Sequence, residues 1–267
     1  SGYKALCTNT TGCQNTASGG YSMALNTTGC RNTATGHVAL FSNTTGNCNA
    51  AYGRQALYSN TTGIVNTAIG ACTLVSNTTG NNNTAVGFNA LVTNTTAGNN
   101  TGIGVNALCK NTTGTYNTAL GTQSGLYSTT ANNNTALGFQ AMKKNTTGAA
   151  NTTTGSQAFL ENTTGANNTA SGYIALQNNT TGCRNTAVGS HALQDNTTGD
   201  YNTAVGQGTL KNNTTAVANT GVGYEALVTS TTGTKNTSLG YQSSYNLTTG
   251  SENTVAGWAA LLDNTTA

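Results

Sequence analysis

Glycine returns every 17 residues along the whole sequence. It stands at Gly2 and at every seventeenth residue up to Gly257, sixteen times without an insertion or a deletion. Numbered from Asn15, the repeat reads NTAxGxxALxxNTTGxx; position 1 is Asn in all fifteen copies, and positions 13 and 14 are Thr in all sixteen. A short fixed period is typical of a solenoid, in which each repeat forms one coil stacked on the next.

Composition favours such a repeat fold over a large globular core. Only 6% of the residues are charged and there is no proline, whereas ordinary domains contain about 25% charged residues. Disordered segments can have a similar composition, but they have no reason to keep Leu at position 9 in eleven repeats, with Met23, Met142 and Phe159 in its place in three others. No apolar run of about 18 residues occurs, so we predict no membrane insertion.

The residue types within one repeat favour strands over helices. Gly, Asn and Thr dominate two segments of each repeat and favour turns, which leaves two short strands per coil, A-x-G-x and A-L-x-x. The predicted fold is an all-β parallel β-solenoid (a β-helix or β-roll) of about 16 coils of 17 residues. Residues 1–267 are expected to form a single uncapped array, either a segment of a longer fibre or a protomer that stacks end to end.

Invariant positions of the repeat suggest specific structural roles. Gly at position 5 predicts either a positive φ or the close approach of another backbone. The Asn-Thr-Thr-Gly segment at positions 12–15 is interpreted as a turn, including the thirteen Asn-x-Thr sequons that it contains. Asn at position 1 predicts a ladder of amides from coil to coil, formed by Asn15, Asn32, Asn49, Asn66, Asn83, Asn100, Asn117, Asn134, Asn151, Asn168, Asn185, Asn202, Asn219, Asn236 and Asn253.

The apolar positions bear on the number of chains. Positions 3 and 4 are both mostly apolar, and so are positions 8 and 9. Neighbouring residues in a strand point to opposite faces, so this pattern predicts strands that are buried on two sides. One thin coil has a single interior, and we therefore expect a second layer from other chains, in a homotrimeric fibre. A single-chain solenoid is the alternative.

The segment NTAVGFNALVTNTTAG, which begins at Asn83, carries a family resemblance that extends over the whole chain. It resembles the repeats of bacteriophage tail fibres and of large bacterial surface proteins. It is more distantly similar to the β-roll heads of trimeric autotransporter adhesins, whose repeat is shorter. The resemblance implies a trimeric fibre, extracellular, on a cell surface or on a virion, that serves as a shaft or an adhesin.

The sequence shows no constellation of catalytic or metal-binding residues. His37 and His191 lie nine repeats apart, and the six carboxylates lack the close alternate spacing of a calcium loop. No phosphate-binding glycine motif is present. We therefore predict that the protein is not an enzyme, and that it binds no cofactor, no metal and no nucleic acid.

Seven cysteines form a more informative pattern. Cys13 and Cys30 share position 16 of adjacent coils, and a coil spacing of about 4.8 Å lies within the Cα separation that a disulfide tolerates. Cys7 and Cys13 flank one turn and offer a second pairing, while an odd count leaves at least one thiol free or in an intermolecular bond. Small buried side chains are the alternative role for these cysteines. The candidate disulfide joins Cys13 and Cys30.

Aromatic residues recur at position 6 of the repeat. An aromatic column on an outer face could stack against sugar rings, which makes surface glycans a candidate partner, whereas packing at an interface is the other interpretation. The candidate glycan-stacking residues are Tyr173, Tyr224, Tyr241 and Trp258.

Charge is distributed unevenly along the chain. Residues 1–160 hold six basic and no acidic residues, and residues 161–267 hold three basic and six acidic ones. Opposite net charges of the two parts favour head-to-tail contact, which does not close on itself and gives an open filament. We predict a structural fibre or filament protein whose partner is itself. The alternative is an ice-binding solenoid with threonine arrays, although the invariant Thr pair is adjacent rather than alternate.

Overall fold

A computed structural model describes residues 1–266, so that Ala267, at the end of the predicted array, lies outside the described residues. Within residues 1–266 the regular structure consists of fifteen three-residue strands and no helix. Each strand occupies positions 2–4 of a repeat. The strands are β1 (Thr16–Ser18), β2 (Thr33–Thr35), β3 (Ala50–Tyr52), β4 (Thr67–Ile69), β5 (Thr84–Val86), β6 (Thr101–Ile103), β7 (Thr118–Leu120), β8 (Thr135–Leu137), β9 (Thr152–Thr154), β10 (Thr169–Ser171), β11 (Thr186–Val188), β12 (Thr203–Val205), β13 (Thr220–Val222), β14 (Thr237–Leu239) and β15 (Thr254–Ala256).

The chain divides into two compact units that share one architecture. The first unit spans Ser1–Asn133 and contains β1–β7, and the second begins at Asn134 and contains β8–β15. Within each unit consecutive strands pair in parallel without offset, as in Ala34 with Ala51 and Ala187 with Ala204. Equivalent positions therefore form columns from coil to coil. The prediction of an all-β parallel β-solenoid with 17-residue coils is confirmed.

The prediction of a second strand in each coil, A-L-x-x, is wrong. Positions 7–9 form a tight turn, because positions 7 and 9 adopt the left-handed conformation; φ is +62° at Gln55 and +53° at Leu57. This region is rarely occupied by residues other than glycine. Left-handed residues cannot extend the chain, so only the segment at positions 2–4 remains a strand.

The same turn explains why two adjacent positions are buried within one chain. Ala56 and Leu57, at positions 8 and 9, are both fully buried, and so is Ala51 at position 3 of the facing strand. The core is a column of leucines against columns of alanines, and in the second unit Met142 and Phe159 take the leucine position. The inference that positions 8 and 9 point to opposite faces and require a second chain is therefore wrong, since their backbone is not extended.

Gly at position 5 meets both conditions that the sequence left open. Gly155 has a φ of +137°, and a Cβ on it would lie 2.3 Å from the carbonyl oxygen of Gly172 in the next coil. No side chain fits either the conformation or the space. The strand therefore ends at this corner in every coil, which sets the direction of the turn that follows.

Position 4 points away from the core and leaves an apolar column on the outside of the sheet. Ile69, Leu120, Val205 and Leu239 are each between 37% and 48% exposed. Position 2, which flanks this column on the same face, is Thr in all strands but one, where Ala50 replaces it. Positions 2 and 4 of the strands, defined here as the outer sheet face of each unit, contain no charged residue.

Candidate functional site

The asparagines predicted to form a ladder are placed in a buried column. Their main contact differs from the expected bond between amides, because the backbone N–H of one asparagine donates to the side-chain oxygen of the preceding one. Asn185 donates in this way to Asn168, and Asn202 to Asn185, both at 2.9 Å. Amide-to-amide bonds occur between some coils, such as Asn66 to Asn49 at 3.2 Å. The column joins backbone to side chain as well as coil to coil.

The same asparagines also tie the coil together across its own width. The Nδ2 group of Asn185 donates to the carbonyl oxygen of Gly199 at 2.8 Å, fourteen residues further along the same coil. Asn151 makes the equivalent bond to Gly165 at 2.9 Å. Position 1 therefore closes each coil at position 15 while it holds the next coil in register.

An amide-to-amide ladder does exist, but at position 12, for which the sequence predicts only a turn. Asn179 Nδ2 donates to Asn162 Oδ1 at 3.0 Å, and Asn196 Nδ2 donates to Asn179 Oδ1 at 2.7 Å. Each of these amides also donates to the carbonyl oxygen three residues on, as Asn179 does to Gly182 at 3.0 Å. The available signal was the recurrence of Asn in thirteen of sixteen repeats at this position.

Position 12 is buried, and this burial determines whether the asparagines of its Asn-x-Thr sequons are accessible. Asn60 and Asn179 are fully buried, and their Nδ2 groups donate to protein oxygens. Glycosylation modifies this same nitrogen. The folded chain therefore holds the amides of these sequons in its interior, with the role of coil-to-coil contacts.

The position 12 ladder is interrupted where serine or leucine replaces asparagine. Ser128 follows Asn111, and Ser230 and Leu247 follow Asn213. At both interruptions the last amide oxygen, Asn111 Oδ1 or Asn213 Oδ1, is buried without a hydrogen-bond partner. The structure tolerates these unsatisfied oxygens, whereas position 1 carries Asn in every copy.

The candidate glycan-stacking residues lie on the surface, and three of them stack on one another. The rings of Tyr224 and Tyr241 are 5.1 Å apart and nearly parallel, and Tyr241 and Trp258 are 6.2 Å apart. A sugar ring would need a free aromatic face, but stacking covers both faces of Tyr241. Tyr173 is 52% exposed and packs edge-on against His191 at 5.8 Å. Trp258, 78% exposed at the end of the stack, presents the most open ring of the four.

The candidate disulfide pair is brought into direct contact as two free thiols. Cys13 Sγ and Cys30 Sγ are 2.8 Å apart, and the backbone N–H of Cys13 donates to Cys30 Sγ at 3.1 Å. Hydrogen bonds from the Cys13 thiol and backbone, with the Arg31 guanidinium nearby, lower the pKa of Cys30 below its ordinary value. The hydrogen bond that the Cys13 thiol donates to Cys30 Sγ raises the pKa of Cys13. Cys7 points elsewhere, toward the carbonyl oxygen of Ala24 at 3.3 Å.

The histidines, the carboxylates and the remaining cysteines are dispersed among residues 1–266. No group of three or more His, Cys, Asp or Glu residues is arranged to hold a metal ion there. Asp195 accepts from Asn178 and Asp200 from the Cys183 backbone, so that these carboxylates contact residues of neighbouring coils. No helix in this part of the chain could cross a membrane.

Comparison with known proteins returned no relative. No protein-family model matches the chain, and neither a curated protein nor a solved structure is significantly similar to it.

Proposed function

We propose that the protein is a structural fibre or filament component, extracellular, on a cell surface or on a virion, that acts as a shaft or an adhesin. The observation that carries this proposal is the regularity of the coils. Backbone hydrogen bonds, the asparagine columns and the leucine column all repeat at an interval of 17 residues. Groups that act on a substrate would have to converge on one site, whereas here the same contacts recur in coil after coil.

The outer sheet face supports self-association as part of this function. Its position 4 column consists mainly of Val, Ile and Leu and is partly exposed in both units. Burial of apolar surface stabilises association by about 25 cal/mol per Å², and no charge on this face opposes contact between copies. A homotrimer assembled through this face, with head-to-tail contacts that extend it into a filament, is the form that we propose.

Mass in solution combined with electron micrographs tests the proposal. We expect elongated particles with a mass of three times the 26.8 kDa of one chain, or filaments built from them. Val205→Lys, on the outer sheet face, should reduce the mass toward one chain. Thr198→Lys, at exposed position 14, is the matched control and should leave it unchanged.

Two outcomes would contradict this form of the protein. Compact globular particles would exclude a fibre. A single-chain mass at all concentrations would exclude the homotrimer while leaving a single-chain shaft. If filaments form, their length in 1 M salt, where the screening length is about 3 Å, tests whether charge drives the head-to-tail contact.

Ice binding is the second candidate, and the threonine columns are the observation that favours it. Position 14 is an exposed threonine in every coil, for example Thr62, Thr181 and Thr198. The threonine before it, at position 13, uses its hydroxyl inside the fold: the hydroxyl donates to the equivalent carbonyl oxygen of the next coil, as Thr180 does to Thr197 at 3.0 Å. Thermal hysteresis at micromolar concentration would support this function, and its absence would exclude it.

A further inference from the structure

We propose that Cys13 and Cys30 form a redox-responsive disulfide that links two adjacent coils near the start of the first unit. The two sulfurs are already 2.8 Å apart, and both residues occupy position 16 of stacked coils. The backbone between them is in register, because Arg31 N–H donates to the Cys13 carbonyl oxygen at 2.9 Å. Bond formation therefore requires a short approach of two sulfurs and no rearrangement of the coils.

The surroundings of the two thiols select this pairing among the seven cysteines. Cys30 has its other neighbour, Asn47, at the same position of the following coil, where the Asn47 side-chain oxygen accepts from Cys30 N–H at 2.7 Å. Cys48 lies at position 17, in a different column. Cys7, at position 10, contacts the carbonyl oxygen of Ala24 at the same position of the next coil. Only Cys13 presents a sulfur to Cys30 in the same column.

Access and charge allow an oxidant to reach the pair. Cys13 is exposed and Cys30 is half-buried. Cys30 Sγ accepts from both the thiol and the backbone N–H of Cys13, an arrangement that stabilises a thiolate on Cys30. Thiolates are the reactive form in disulfide exchange. Cys30 is therefore the attacking sulfur and Cys13 the resolving one.

A small-molecule disulfide is the class of oxidant that this arrangement takes. The Cys30 thiolate attacks one sulfur of the small disulfide, forms a mixed disulfide and releases one thiolate. Cys13 then loses its proton, attacks Cys30 Sγ and expels the second thiolate. The cysteine pair loses two electrons, the small disulfide gains them, and two small thiols leave once protonated.

Cys183 provides an internal control for this chemistry. It occupies the same position 16, and its sulfur contacts the carbonyl oxygen two residues earlier at 3.2 Å, as Cys30 Sγ contacts that of Thr28 at 3.4 Å. The residues at position 16 on either side are Ala166 and Asp200 rather than cysteine. Cys183 therefore has the same local backbone without a resolving thiol.

Cleavage at methionine tests the pairing, because the chain contains only Met23 and Met142. The reduced protein is incubated with oxidised glutathione, remaining thiols are alkylated, and cyanogen bromide then yields fragments 1–23, 24–142 and 143–267. We expect fragments 1–23 and 24–142 to migrate together until a reductant is added. Cys13→Ser should abolish the link, Cys7→Ser should retain it, and Cys183 should carry a glutathione adduct or the alkyl group.

Two results would overturn the proposal. Release of fragment 1–23 from the oxidised wild-type protein would show that no bond forms, and a link that survives in Cys13→Ser would assign it to another pair. Hydrogen exchange at Arg31 N–H gives a second measurement, which we expect to slow by about tenfold or more on oxidation. Cys13→Ser should show no such change.

Discussion

The two buried asparagine columns differ in how strictly the chain keeps them. Position 1 is Asn in all fifteen copies, whereas position 12 is Asn in thirteen of sixteen and elsewhere Ser or Leu. Both columns lie in the interior and both donate to the carbonyl oxygen at position 15, as Asn185 and Asn196 do to Gly199. Burial alone therefore does not explain the difference.

The explanation lies in what each side-chain oxygen accepts. At position 1 it accepts a backbone N–H, which cannot be removed by changing a neighbouring side chain. At position 12 it accepts the amide of another asparagine, which still has a second acceptor at position 15. Loss of a position 1 side chain thus leaves a buried backbone donor unsatisfied, which costs more than a gap between two side chains.

Asn185→Ala should show the largest effect, a loss of about 3 kcal/mol in the free energy of unfolding. The substitution removes the acceptor of Asn202 N–H and the bond to Gly199. Urea denaturation followed by far-UV circular dichroism measures the loss, and hydrogen exchange should accelerate at Asn202. An unchanged Asn202 exchange rate would contradict the role of position 1 as a backbone acceptor.

Asn179→Ala, in the other column, should cost less, about 2 kcal/mol. It leaves Asn162 Oδ1 unsatisfied, but Asn196 keeps its bond to Gly199. Asn179→Ser should cost about 1 kcal/mol, because serine occupies this position at Ser128 and Ser230. If Asn179→Ala destabilises the protein as much as Asn185→Ala in the same urea experiment, the two columns contribute equally to stability, which would contradict the expected difference between them.

Ser230→Asn should stabilise the second unit by about 1 kcal/mol. The new amide would supply a donor to Asn213 Oδ1, which is buried and unsatisfied, and a bond to the carbonyl oxygen of Gly233. Ser59→Asn, at position 11 outside the ladder, is the matched control and should change the urea midpoint little. A lower midpoint for Ser230→Asn would show that the column lacks room for an amide in this coil.

The smallest effect is expected for a surface ion pair, Lys235 with Glu252, whose residues are also 17 positions apart. Lys235 Nζ lies 2.8 Å from Glu252, but their side chains are 65% and 70% exposed. Lys235 lowers the pKa of Glu252 below its ordinary value of 4.5, so the pair stabilises the fold above that pH and the contribution is lost as Glu252 becomes protonated. Glu252→Gln should lower the thermal midpoint slightly at pH 7, and by progressively less as the pH falls through the lowered pKa of Glu252. A difference that persists in 1 M salt would show that the pair is not merely a screened surface contact.

Much of the architecture could be predicted from periodicity, because each stacked coil has the same neighbours and therefore the same steric restrictions at each position. Gly155 illustrates this: its φ and the carbonyl oxygen of Gly172 against it exclude any side chain, so glycine recurs. Leu57 and most of its equivalents fill the interior, and the position is therefore Leu, Met or Phe in all copies except Gly125 and Ser244. A residue type therefore recurs at those positions where a substitution would also disturb the contact with the next coil.

The details of the site could not be predicted to the same depth. Asn179 and Asn185 are the same residue type. Position 1 keeps Asn more strictly than position 12, but the sequence does not show which side-chain oxygen accepts a backbone N–H and which accepts another amide. From the sequence, Cys13 could pair with either Cys30 or Cys7. The structure distinguishes these pairings, because Cys7 Sγ points to the carbonyl oxygen of Ala24, whereas Cys13 Sγ lies 2.8 Å from Cys30 Sγ.

The sequence by itself determined the coil length, the parallel stacking and the glycine corner, since each depends on spacing and on the steric limits of one residue type. Tertiary structure alone decided which way each side chain points. The left-handed φ values of Gln55 and Leu57 turn positions 8 and 9 into one interior, whereas the extended backbone of β4 buries Ala68 and leaves Ile69 outside. An alternation rule assumes an extended backbone, and a residue that leaves the extended region redirects its neighbours without any change in the hydrophobic pattern.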